Sequence, residues 1–469
     1  MKRFVNRERE LDALEDQYTA DGASFVVLYG RRRVGKTTLI NEFIKDKKAM
    51  YFLANEENET LSMKNFAKVL SDYTEQEYLK NASFESWKDL FEIFLKHDHS
   101  AKKLLVIDEL PYMVNANPAF PSILQWVWDT WFINQNVMLI LCGSLIHMME
   151  KHALSYNSPL YGRRTGQIKL KQIDFIHYNQ FYENMPYRDL VEHYAVTGGV
   201  PKYIELFDRK KSLFHEIDRL MLKPEGLLFE EPEFLLRHEV EEIGSYFSII
   251  KSIASGNHKS GKISTDIGIK QTSLPKYLKT LIDLDILERE VPVTESNPEK
   301  SKMSLYQIKD NFIRFWFRFV YPERARIERG QSDFVLEKIK ANFIDNHVAH
   351  IYEIACRSEL WQLATTDKLQ FNKLGRWWNS KEEIDIVALD STGNNIVLAE
   401  CKYRTQPTDA DVFYNLLRKK ELVPWNKEKR QETFVLFSIS GFTDRLIDLA
   451  RERNDLLLID GGGRLYKFL

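Results

Sequence analysis

The sequence predicts an α/β multidomain protein with a parallel-sheet core, a helical lid, a winged-helix domain and a C-terminal α/β domain. Three patterns lead to this prediction. Continuous apolar runs alternate with helix patterns over residues 24–157, which is typical of a parallel sheet covered on both faces. Three short helix patterns, then two strand patterns around a polar loop, follow at 241–310 in the order of a winged helix. Strand and helix patterns resume near residue 335 and continue to the end.

The composition limits the class of protein. The chain has 469 residues, which is too long for one hydrophobic core, and its 44% hydrophobic and 29% charged residues indicate a globular protein. The formal net charge is −2, so any contact with nucleic acid has to come from local basic patches. The three cysteines are far apart, and we find no signal peptide and no apolar run of membrane-spanning length. We therefore expect a cytoplasmic protein without membrane contact.

The segment GRRRVGKTT matches the phosphate-loop pattern G-x-x-x-x-G-K-[ST] between an apolar strand and a helix pattern. Gly30 and Gly35 let the backbone turn so that its N–H groups can meet phosphate oxygens. Lys36 adds a positive charge for the β and γ phosphates, and the Thr37 hydroxyl can bind Mg²⁺. The segment therefore predicts binding of ATP and Mg²⁺. The predicted ATP-binding residues of this loop are Gly30, Arg31, Arg32, Arg33, Val34, Gly35, Lys36, Thr37 and Thr38.

Polar residues that follow other strands of the predicted sheet fit ATP hydrolysis. Asp108 ends the run LLVID, where its carboxylate can hold Mg²⁺, and Glu109 can deprotonate the attacking water. Ser144 ends another apolar run and is placed to sense the γ-phosphate. Arg163 and Arg164 lie on a predicted loop, where one of them could act as an arginine finger, in cis or from a neighbouring subunit of a homo-oligomer. A solvated basic turn is the alternative for this pair.

The helix pattern TSLPKYLKTLIDL, residues 272–284, is the candidate recognition helix of the winged helix. Its leucines fall on one face, and the opposite side could meet a DNA groove or phosphates. The residues on that side are Ser273, Lys276, Tyr277 and Lys279. A winged helix that only packs between domains is the alternative interpretation. DNA is therefore the predicted macromolecular partner.

The stretch EIDIVALDSTGNNIVLAECKYR predicts a hairpin with a charged face. Asp385 on the first strand can lie beside Glu400 on the second, and Lys402 shares the face of Glu400 because it is two residues further on. Two close carboxylates repel each other unless a cation joins them, so we expect Mg²⁺ or Mn²⁺ at Asp385 and Glu400 with Lys402 orienting water. Glu353, in the helix pattern 347–360, could complete the acidic cluster. A hairpin with surface charges is the alternative.

Six motifs occur in the order that resembles the archaeal-type ATPases of the AAA+/STAND P-loop class. They are FVNREREL, the phosphate loop, VIDEL, CGS, SPLYGRRT and TGGVPKYI. The resemblance implies that residues 4–11 pack near the adenine and that residues 198–201 report the nucleotide state from a helical lid.

The C-terminal pattern of a helix acid followed by D…ExK resembles the PD-(D/E)XK restriction-endonuclease-like fold, with Ile384 where that motif has proline. Together with GRWW it also resembles the domain, formerly of unknown function, that follows archaeal-type ATPases. The resemblance implies an ATP-dependent protein with a metal-dependent nuclease-like domain that acts on DNA. The alternative is a nucleotide-controlled signalling or scaffold switch whose C-terminal domain binds a partner without catalysis.

These patterns divide the chain into four predicted domains. They are a P-loop ATPase core at 1–157, a helical lid at 158–240, a winged helix at 241–322 and a nuclease-like domain at 335–469.

Overall fold

The computed structural model describes residues 4–97, 102–240, 242–366, 369–462 and 465–466. The chain divides into two compact units. The first contains the residues through Ile173 together with Val200–Lys202 and His238–Glu241. The second contains Asp174–Gly199, Tyr203–Arg237 and the residues from Glu242 onward.

The first unit is built on a five-stranded sheet in which every strand pair is parallel. Its strands are β1 (Ser24–Tyr29), β2 (Ala49–Leu53), β3 (Lys103–Asp108), β4 (Val137–Gly143) and β5 (Gly166–Lys169). The order across the sheet is β2-β3-β4-β1-β5. All residues of β1 and β4 are buried, as their continuous apolar sequences require. The predicted parallel sheet is confirmed.

Helices cover this sheet, and the apolar sides of the first two pack against β1, β3 and β4. The helices of the first unit are α1 (Glu8–Thr19), α2 (Lys36–Ile44), α3 (Glu59–Thr74), α4 (Trp87–Lys96), α5 (Leu110–Ala116), α6 (Phe120–Thr130) and α7 (Ile146–Met149). The sequence prediction ended this domain at residue 157, whereas β5 extends the sheet to Lys169. β5 is an edge strand with the sequence GQIK, which has no apolar run of the kind that marked the predicted strands. None of its residues is fully buried.

The second unit begins with short helices, and the assignment of residues 158–240 as a lid stays a prediction. These helices are α8 (Phe175–Tyr178), α9 (Tyr187–Thr197), α10 (Pro201–Leu206), α11 (Leu213–Met221) and α12 (Glu231–Glu239). The first two residues of α10 and the last two of α12 belong to the first unit. The unit continues with α13 (Ile243–Ala254), α14 (Ser260–Ile267), α15 (Leu274–Asp283), β6 (Leu287–Glu290) and β7 (Leu305–Ile308). β6 and β7 pair antiparallel. Three helices and a two-stranded sheet thus occur in the expected order, and the assignment as a winged helix stays a prediction.

A helical connector joins this part to the C-terminal domain. It consists of α16 (Asn311–Phe315), the π-helical turn Trp316–Val320, α17 (Arg324–Ile327), α18 (Ser332–Phe343), the π-helical turn Ile344–Val348 and α19 (Ala349–Thr365). The aromatic side chains of Phe315, Trp316 and Phe343 are buried here. The connector therefore belongs to the core of the second unit and is not a flexible linker.

The C-terminal domain is a mixed sheet flanked by helices. Its strands are β8 (Lys373–Trp378), β9 (Glu383–Leu389), β10 (Asn395–Lys402), β11 (Gln431–Ser438), β12 (Leu456–Asp460) and β13 (Leu465–Tyr466), in the order β13-β12-β11-β10-β9-β8. β8, β9 and β10 are antiparallel neighbours, whereas β10, β11 and β12 run parallel. The helices are α20 (Ala410–Lys420) and α21 (Asp444–Arg451). A separate C-terminal α/β sheet domain is confirmed, and so is the predicted hairpin.

The loop after β6 packs on the first strand of this sheet. The Val293 N–H donates to the Arg376 carbonyl at 2.9 Å, and the Val293 side chain lies in the same buried cluster as Trp377. Part of the predicted wing is therefore occupied by packing. In the part of the chain that the structure describes, no helix is both long and apolar enough to cross a membrane.

Candidate functional site

The phosphate loop joins the carboxyl end of β1 to the amino end of α2, and two of its positions require glycine. Gly30 has φ +156, and a Cβ atom there would lie 2.3 Å from the Leu170 carbonyl oxygen. Gly35 has φ +97 and directly precedes α2. The loop thus directs backbone N–H groups and the positive end of a helix to one place, which is an arrangement suited to phosphate.

Lys36 is held within this loop. Its Nζ atom donates to the Gly30 carbonyl at 2.8 Å and to the Arg31 carbonyl at 3.0 Å. Burial lowers the pKa of Lys36, and the nearby charges of Asp108 and Glu109 oppose that shift. The ammonium is therefore desolvated and positioned in the loop, where an incoming phosphate gains a strong electrostatic contact.

The two residues predicted to hold Mg²⁺ are in direct contact. The Thr37 hydroxyl donates to Asp108 Oδ2 at 3.1 Å, and the Tyr51 hydroxyl donates to the same oxygen at 2.6 Å. Asp108 is buried at the end of β3. A hydroxyl and a carboxylate are oxygen ligands of the kind that Mg²⁺ prefers, and the nucleotide phosphates and water can supply the other ligands. The residues present therefore fit Mg²⁺.

Glu109 directly precedes α5 and has φ +57, a left-handed backbone conformation. Its Oε2 atom accepts hydrogen bonds from the Ser144 N–H at 3.1 Å and from the Ser144 hydroxyl at 2.9 Å. The structure therefore brings together the acid predicted to activate water and the residue predicted to sense the γ-phosphate. β3 and β4 are neighbours in the sheet, so their ends meet at the same edge.

Arg32 of the loop and Arg7, which precedes α1, bond to groups other than the residues predicted to hold Mg²⁺. Arg32 donates to the Tyr112 hydroxyl at 3.0 Å. Arg7, from the FVNREREL segment, donates to the Val34 carbonyl at 3.1 Å and to the Lys171 carbonyl at 2.7 Å. Arg7 is buried and ties the segment that precedes α1 to the phosphate loop. Sequence reasoning noted this segment but did not single out Arg7.

Arg163 and Arg164 lie away from the phosphate loop. They precede β5, which runs parallel to β1, so they lie at the amino edge of the sheet, whereas the loop lies at its carboxyl edge. The Arg163 guanidinium forms two hydrogen bonds with Asp129, at 2.8 and 2.7 Å, and Arg164 donates to the Leu154 carbonyl at 3.1 Å. The structure does not bring either arginine to the loop of its own chain.

Glu239 lies at this site without having been expected from the sequence. Its Oε1 atom accepts from the Ile146 N–H at 3.4 Å. Burial raises the pKa of Glu239 to about 7, while the N–H groups of Ile146 and His147 and the charges of Arg31 and Lys36 lower it. A partly protonated carboxyl group therefore lies close to the phosphate loop. No motif marks Glu239, because only the fold brings the C-terminal end of α12 to this place.

The predicted C-terminal site is assembled on the hairpin of β9 and β10. Lys402 Nζ donates to Glu400 Oε2 at 2.6 Å and lies 3.7 Å from Asp385 Oδ2. Asp385 Oδ2 also accepts from the Cys401 N–H at 2.9 Å. The Lys402 side chain thus points toward both carboxylates, and the three residues share one face as the period of a strand requires.

Lys419 is a fourth member of this cluster, and sequence reasoning missed it. Its Nζ atom donates to Glu400 Oε1 at 2.7 Å, so each carboxylate oxygen of Glu400 is bonded to a lysine. Lys419 lies on α20 three residues after buried Leu416, which follows buried Phe413 at the same spacing. A lysine in the apolar stripe of a helix was the signal that could have found it.

The electrostatics of the cluster follow from burial and from these contacts. Burial and then the charge of Glu400 raise the pKa of Asp385 to about 6, against the effect of Lys402. Burial alone would raise the pKa of Glu400, but Lys402 and Lys419 hold it below its ordinary value. Burial and then Asp385 raise the pKa of Glu353 to about 8. Among the described residues, no group of three His, Cys, Asp or Glu side chains is close enough to hold a metal ion.

The candidate recognition helix keeps its basic side chains in solvent. Ser273, Lys276 and Lys279 of this segment are exposed. Tyr277 instead makes an edge-to-face contact with Tyr246 on α13, with ring centroids 5.0 Å apart. The two lysines are therefore free to meet a polyanion, whereas the tyrosine contributes to packing.

The comparisons with known proteins agree with the nucleotide site. Residues 4–207 match a family described as an ATPase domain predominantly from Archaea, and residues 316–414 match DUF234, described as archaea bacterial proteins of unknown function. The chain is 36% identical over 462 residues to the uncharacterized protein MJECL04 of Methanocaldococcus jannaschii, covering 97% of this chain and 99% of that protein. A 45-residue stretch is 53% identical to the uncharacterized ATP-binding protein MJ0423 of the same organism, covering 10% of this chain and 76% of that protein.

A solved structure supports the fold. The Walker-type ATPase paby2304 of Pyrococcus abyssi is similar with a TM-score of 0.51 and 18% identity, covering 67% of this chain and 96% of that one. The match to MJECL04 extends over nearly the whole of both chains, and the ATPase family match contains the phosphate loop and its acids. The chain therefore belongs to the family of MJECL04, as an ATPase with an archaeal ATPase domain followed by a DUF234 domain.

Proposed function

We propose that the ATPase reaction takes place at the edge of the sheet where β1, β3 and β4 end. In this proposal, the loop N–H groups and Lys36 bind the phosphates, while Thr37 and Asp108 hold Mg²⁺. The bound ion would neutralise charge on the phosphate oxygens. The observation that supports the proposal is the contact of Glu109 with Ser144, which joins the residue after β3 to the residue after β4 at that edge of the sheet.

The Glu109 carboxylate is the proposed general base. It would accept a proton from the water that attacks the γ-phosphate, and the bonds from Ser144 keep the carboxylate oriented before ATP arrives. When ATP binds, the Ser144 hydroxyl can turn from Glu109 to a γ-phosphate oxygen. Glu109 would then be released from the Ser144 hydroxyl, and could act as a base, only when the triphosphate is bound.

Two substitutions test this assignment. Lys36→Ala should abolish ATP binding, because it removes the charge that the phosphates meet. Glu109→Gln should still bind ATP but hydrolyse it at least about 100-fold more slowly, because a positioned base accounts for a factor of this order. Nucleotide affinity and phosphate release are the measurements, and Glu42→Gln, an exposed acid on α2, is the matched control. Normal hydrolysis in the Glu109→Gln protein would remove Glu109 as the base.

We further propose that Arg164 or Arg163 acts on the nucleotide of a neighbouring subunit. The position of both arginines at the opposite edge of the sheet supports action in trans rather than in cis. Arg163 is committed to Asp129, so Arg164 is the better candidate. Mixing Lys36→Ala protein with Arg164→Ala protein should restore activity that neither has alone, since a mixed interface pairs an intact loop with an intact arginine. Mixtures no more active than their parts would contradict this role.

The C-terminal domain is proposed to be a PD-(D/E)XK-like module that acts on DNA with Mg²⁺ or Mn²⁺. The observation that carries this proposal is the convergence of Asp385, Glu400 and Lys402 on one face, with the lysine turned inward. The carboxylates of Asp385 and Glu400 are suitable oxygen ligands, but a metal has to take the place of a lysine on Glu400. Lys402 would then be free to orient water or stabilise charge at the phosphodiester.

The test uses the full chain with Lys36→Ala, so that no complex of metal and nucleotide binds at the phosphate loop. Calorimetric titration with Mn²⁺ should show binding that Asp385→Asn reduces at least about tenfold, because one of the two carboxylate ligands loses its charge. Asp390→Asn, in the exposed turn of the same hairpin, is the matched control. Cleavage of DNA and RNA of different forms with each metal, with and without ATP in the unmutated chain, then identifies the substrate.

One observation favours a second function for this domain. Because Lys402 and Lys419 already neutralise Glu400, the buried carboxylate is satisfied without a metal. A nucleotide-controlled switch whose C-terminal domain binds a partner without catalysis would need only this closed arrangement. No Mn²⁺ binding in the unmutated chain, together with retained ATP hydrolysis, would select this function.

A further inference from the structure

Two arginines in the helical connector form no ion pair with any residue that the structure describes. Arg314 on α16 and Arg318 in the following π-helical turn are four residues apart, so their side chains project from the same side of the helix. Across the described ranges, neither side chain makes a hydrogen bond or an ion pair with another residue. Like charges at this spacing destabilise a helix, and the cost increases when the charges are buried.

Burial increases the free-energy cost of an Arg314 cation that forms no ion pair with a described residue. Burial and then the charge of Arg318 lower the pKa of Arg314 to about 10, so the protein interior disfavours this cation. Glu288 and Glu353 lie near enough to oppose that shift, but neither approaches Arg314 within ion-pair distance among the described residues. Glu290 is occupied by two other arginines, Arg357 at 3.2 Å and Arg376 at 3.4 Å. Of the carboxylates that the structure describes nearby, none therefore forms an ion pair with Arg314 or Arg318.

Both arginines line a small polar cavity. The cavity has a volume of about 40 Å³ and is also lined by His258 and Gln307. It lies next to a wider cleft of about 370 Å³, which shares Arg318 and is further lined by Asn342 and Asn346. The inner volume exceeds the space that one water needs, and the outer cleft gives access from solvent. We call this pair of spaces the arginine cavity.

We propose that the arginine cavity binds a phosphate group, with Arg314 and Arg318 as its cationic donors. Guanidinium groups match the oxygens of a phosphate through paired N–H bonds, and a bound dianion would remove the repulsion between the two arginines. Gln307 and the two asparagines can add neutral hydrogen bonds. The phosphate comes either from the free ion or from the terminal phosphate of a nucleic-acid strand. This site is separate from the phosphate loop and does not depend on the proposed nuclease activity.

The experiment is calorimetric titration of inorganic phosphate into the full chain carrying Lys36→Ala, which disables the phosphate loop. We expect one binding event, weakened about tenfold or more by Arg314→Met and by Arg318→Gln, because each removes charge-assisted hydrogen bonds. Arg445→Gln, an exposed arginine of the same unit, should change the affinity less than about twofold. Undiminished affinity in both cavity variants would overturn the proposal, and so would a chain that binds no phosphate.

A second measurement separates a ligand site from a structural role. Without phosphate, Arg318→Gln should raise the melting temperature, because one of two repelling charges is removed. With saturating phosphate, the unsubstituted Arg318 protein should become the more stable one. A variant less stable at every phosphate concentration would mean that Arg318 serves only the fold. A 5′-phosphorylated oligonucleotide that displaces phosphate, when its 5′-hydroxyl form does not, would identify a strand end as the source. Displacement by neither would leave the free ion as the ligand.

Discussion

At the scale of single residues, Glu239 carries an unexpected charge at the nucleotide site. It accepts the Ile146 N–H just beyond the strand that ends in Gly143, and its carboxyl group interacts electrostatically with Arg31 and Lys36. An ionised carboxylate near these cations competes with the negative phosphates of ATP for them. The protonation state of Glu239 should therefore influence nucleotide affinity.

We predict that Glu239→Gln binds ATP several-fold more tightly than the unmutated protein at pH 8.5, because the competing charge is absent. The raised pKa of about 7 sets the direction: below pH 7 Glu239 holds its proton, so the two proteins should become similar at pH 6. Affinity measured by fluorescence titration at both pH values checks this. Glu42→Gln, on the exposed side of α2, should show no such difference. A pH-independent ratio between variant and parent would contradict the assignment to Glu239.

A second prediction concerns Lys419, which holds one oxygen of the buried Glu400 carboxylate. Lys419→Met should cost about 3 kcal/mol of unfolding free energy, because the buried Glu400 carboxylate loses one of its two lysine partners. Lys427→Met, whose ion pair with Glu421 is exposed, should cost less than about 1 kcal/mol. Denaturant unfolding measures both. If Glu400 is also a metal ligand, Mn²⁺ should restore stability to the Lys419→Met protein.

These residues show what a sequence can indicate about a site. Asp385, Glu400 and Lys402 could be placed together because they belong to one hairpin, in which a period of two decides the face. Glu109 and Ser144 could be connected through the rule that neighbouring parallel strands end at one edge. Lys419 stands out only as a lysine in the apolar stripe of α20, and no local pattern indicates its partner or brings Glu239 to the nucleotide site. Their positions needed the fold itself.

At the scale of elements, the lysines of α15 are exposed on the side of the helix opposite its leucines, as the sequence predicted. The buried leucines Leu274, Leu278 and Leu281 fix the orientation of the helix, so Lys276 and Lys279 face solvent. The edge strand β5 was not predicted, because its short sequence GQIK has neither an apolar run nor strict alternation. Elements with a strong burial pattern were thus predictable, and an edge strand that depends on pairing with β1 was not.

The third prediction concerns α15 as a nucleic-acid contact. Lys276→Glu combined with Lys279→Glu should weaken DNA binding and flatten its dependence on salt, because phosphate contacts release counterions. Each lost contact should reduce the slope of log affinity against log salt by about 1. The matched control is Lys251→Glu together with Lys262→Glu, on α13 and α14, which makes the same change of charge at other exposed positions. Equal effects of the two double variants would indicate nonspecific attraction rather than contact by α15.

At the scale of the whole molecule, the second unit contains buried groups whose neutral forms the folded state favours. Burial lowers the pKa of His347 to about 3, and its Nε2 atom donates to the Ala195 carbonyl at 2.7 Å. Burial raises the pKa of Glu359 to about 7. The Tyr187 hydroxyl donates a hydrogen bond to the Glu359 carboxyl group. The two groups have opposite effects on stability as the pH changes.

The signs follow from proton uptake. His347 titrates near 6.5 in the unfolded chain, so its contribution is present above that pH and is lost as the pH falls toward 3. Glu359 titrates near 4.5 when unfolded, so its contribution is complete below 4.5 and is lost as the pH rises through about 7. Between pH 4.5 and 6.5 the two slopes oppose each other. A flat stability profile of the unmutated chain in this interval would therefore conceal two large effects.

Single substitutions should expose these effects. Relative to the unmutated chain, Glu359→Gln should gain about 1.4 kcal/mol of unfolding free energy per pH unit between pH 4.5 and 7, because it no longer has to hold a proton. His347→Gln should gain by the same amount per unit as the pH falls from 6.5, because no buried imidazole then resists protonation. Urea unfolding at half-unit intervals measures both slopes. The exposed pair Glu337→Gln and His215→Gln should leave the profile unchanged. Parallel profiles for all four variants would mean that folding shifts the pKa of neither group, and the flat interval would then require no compensation.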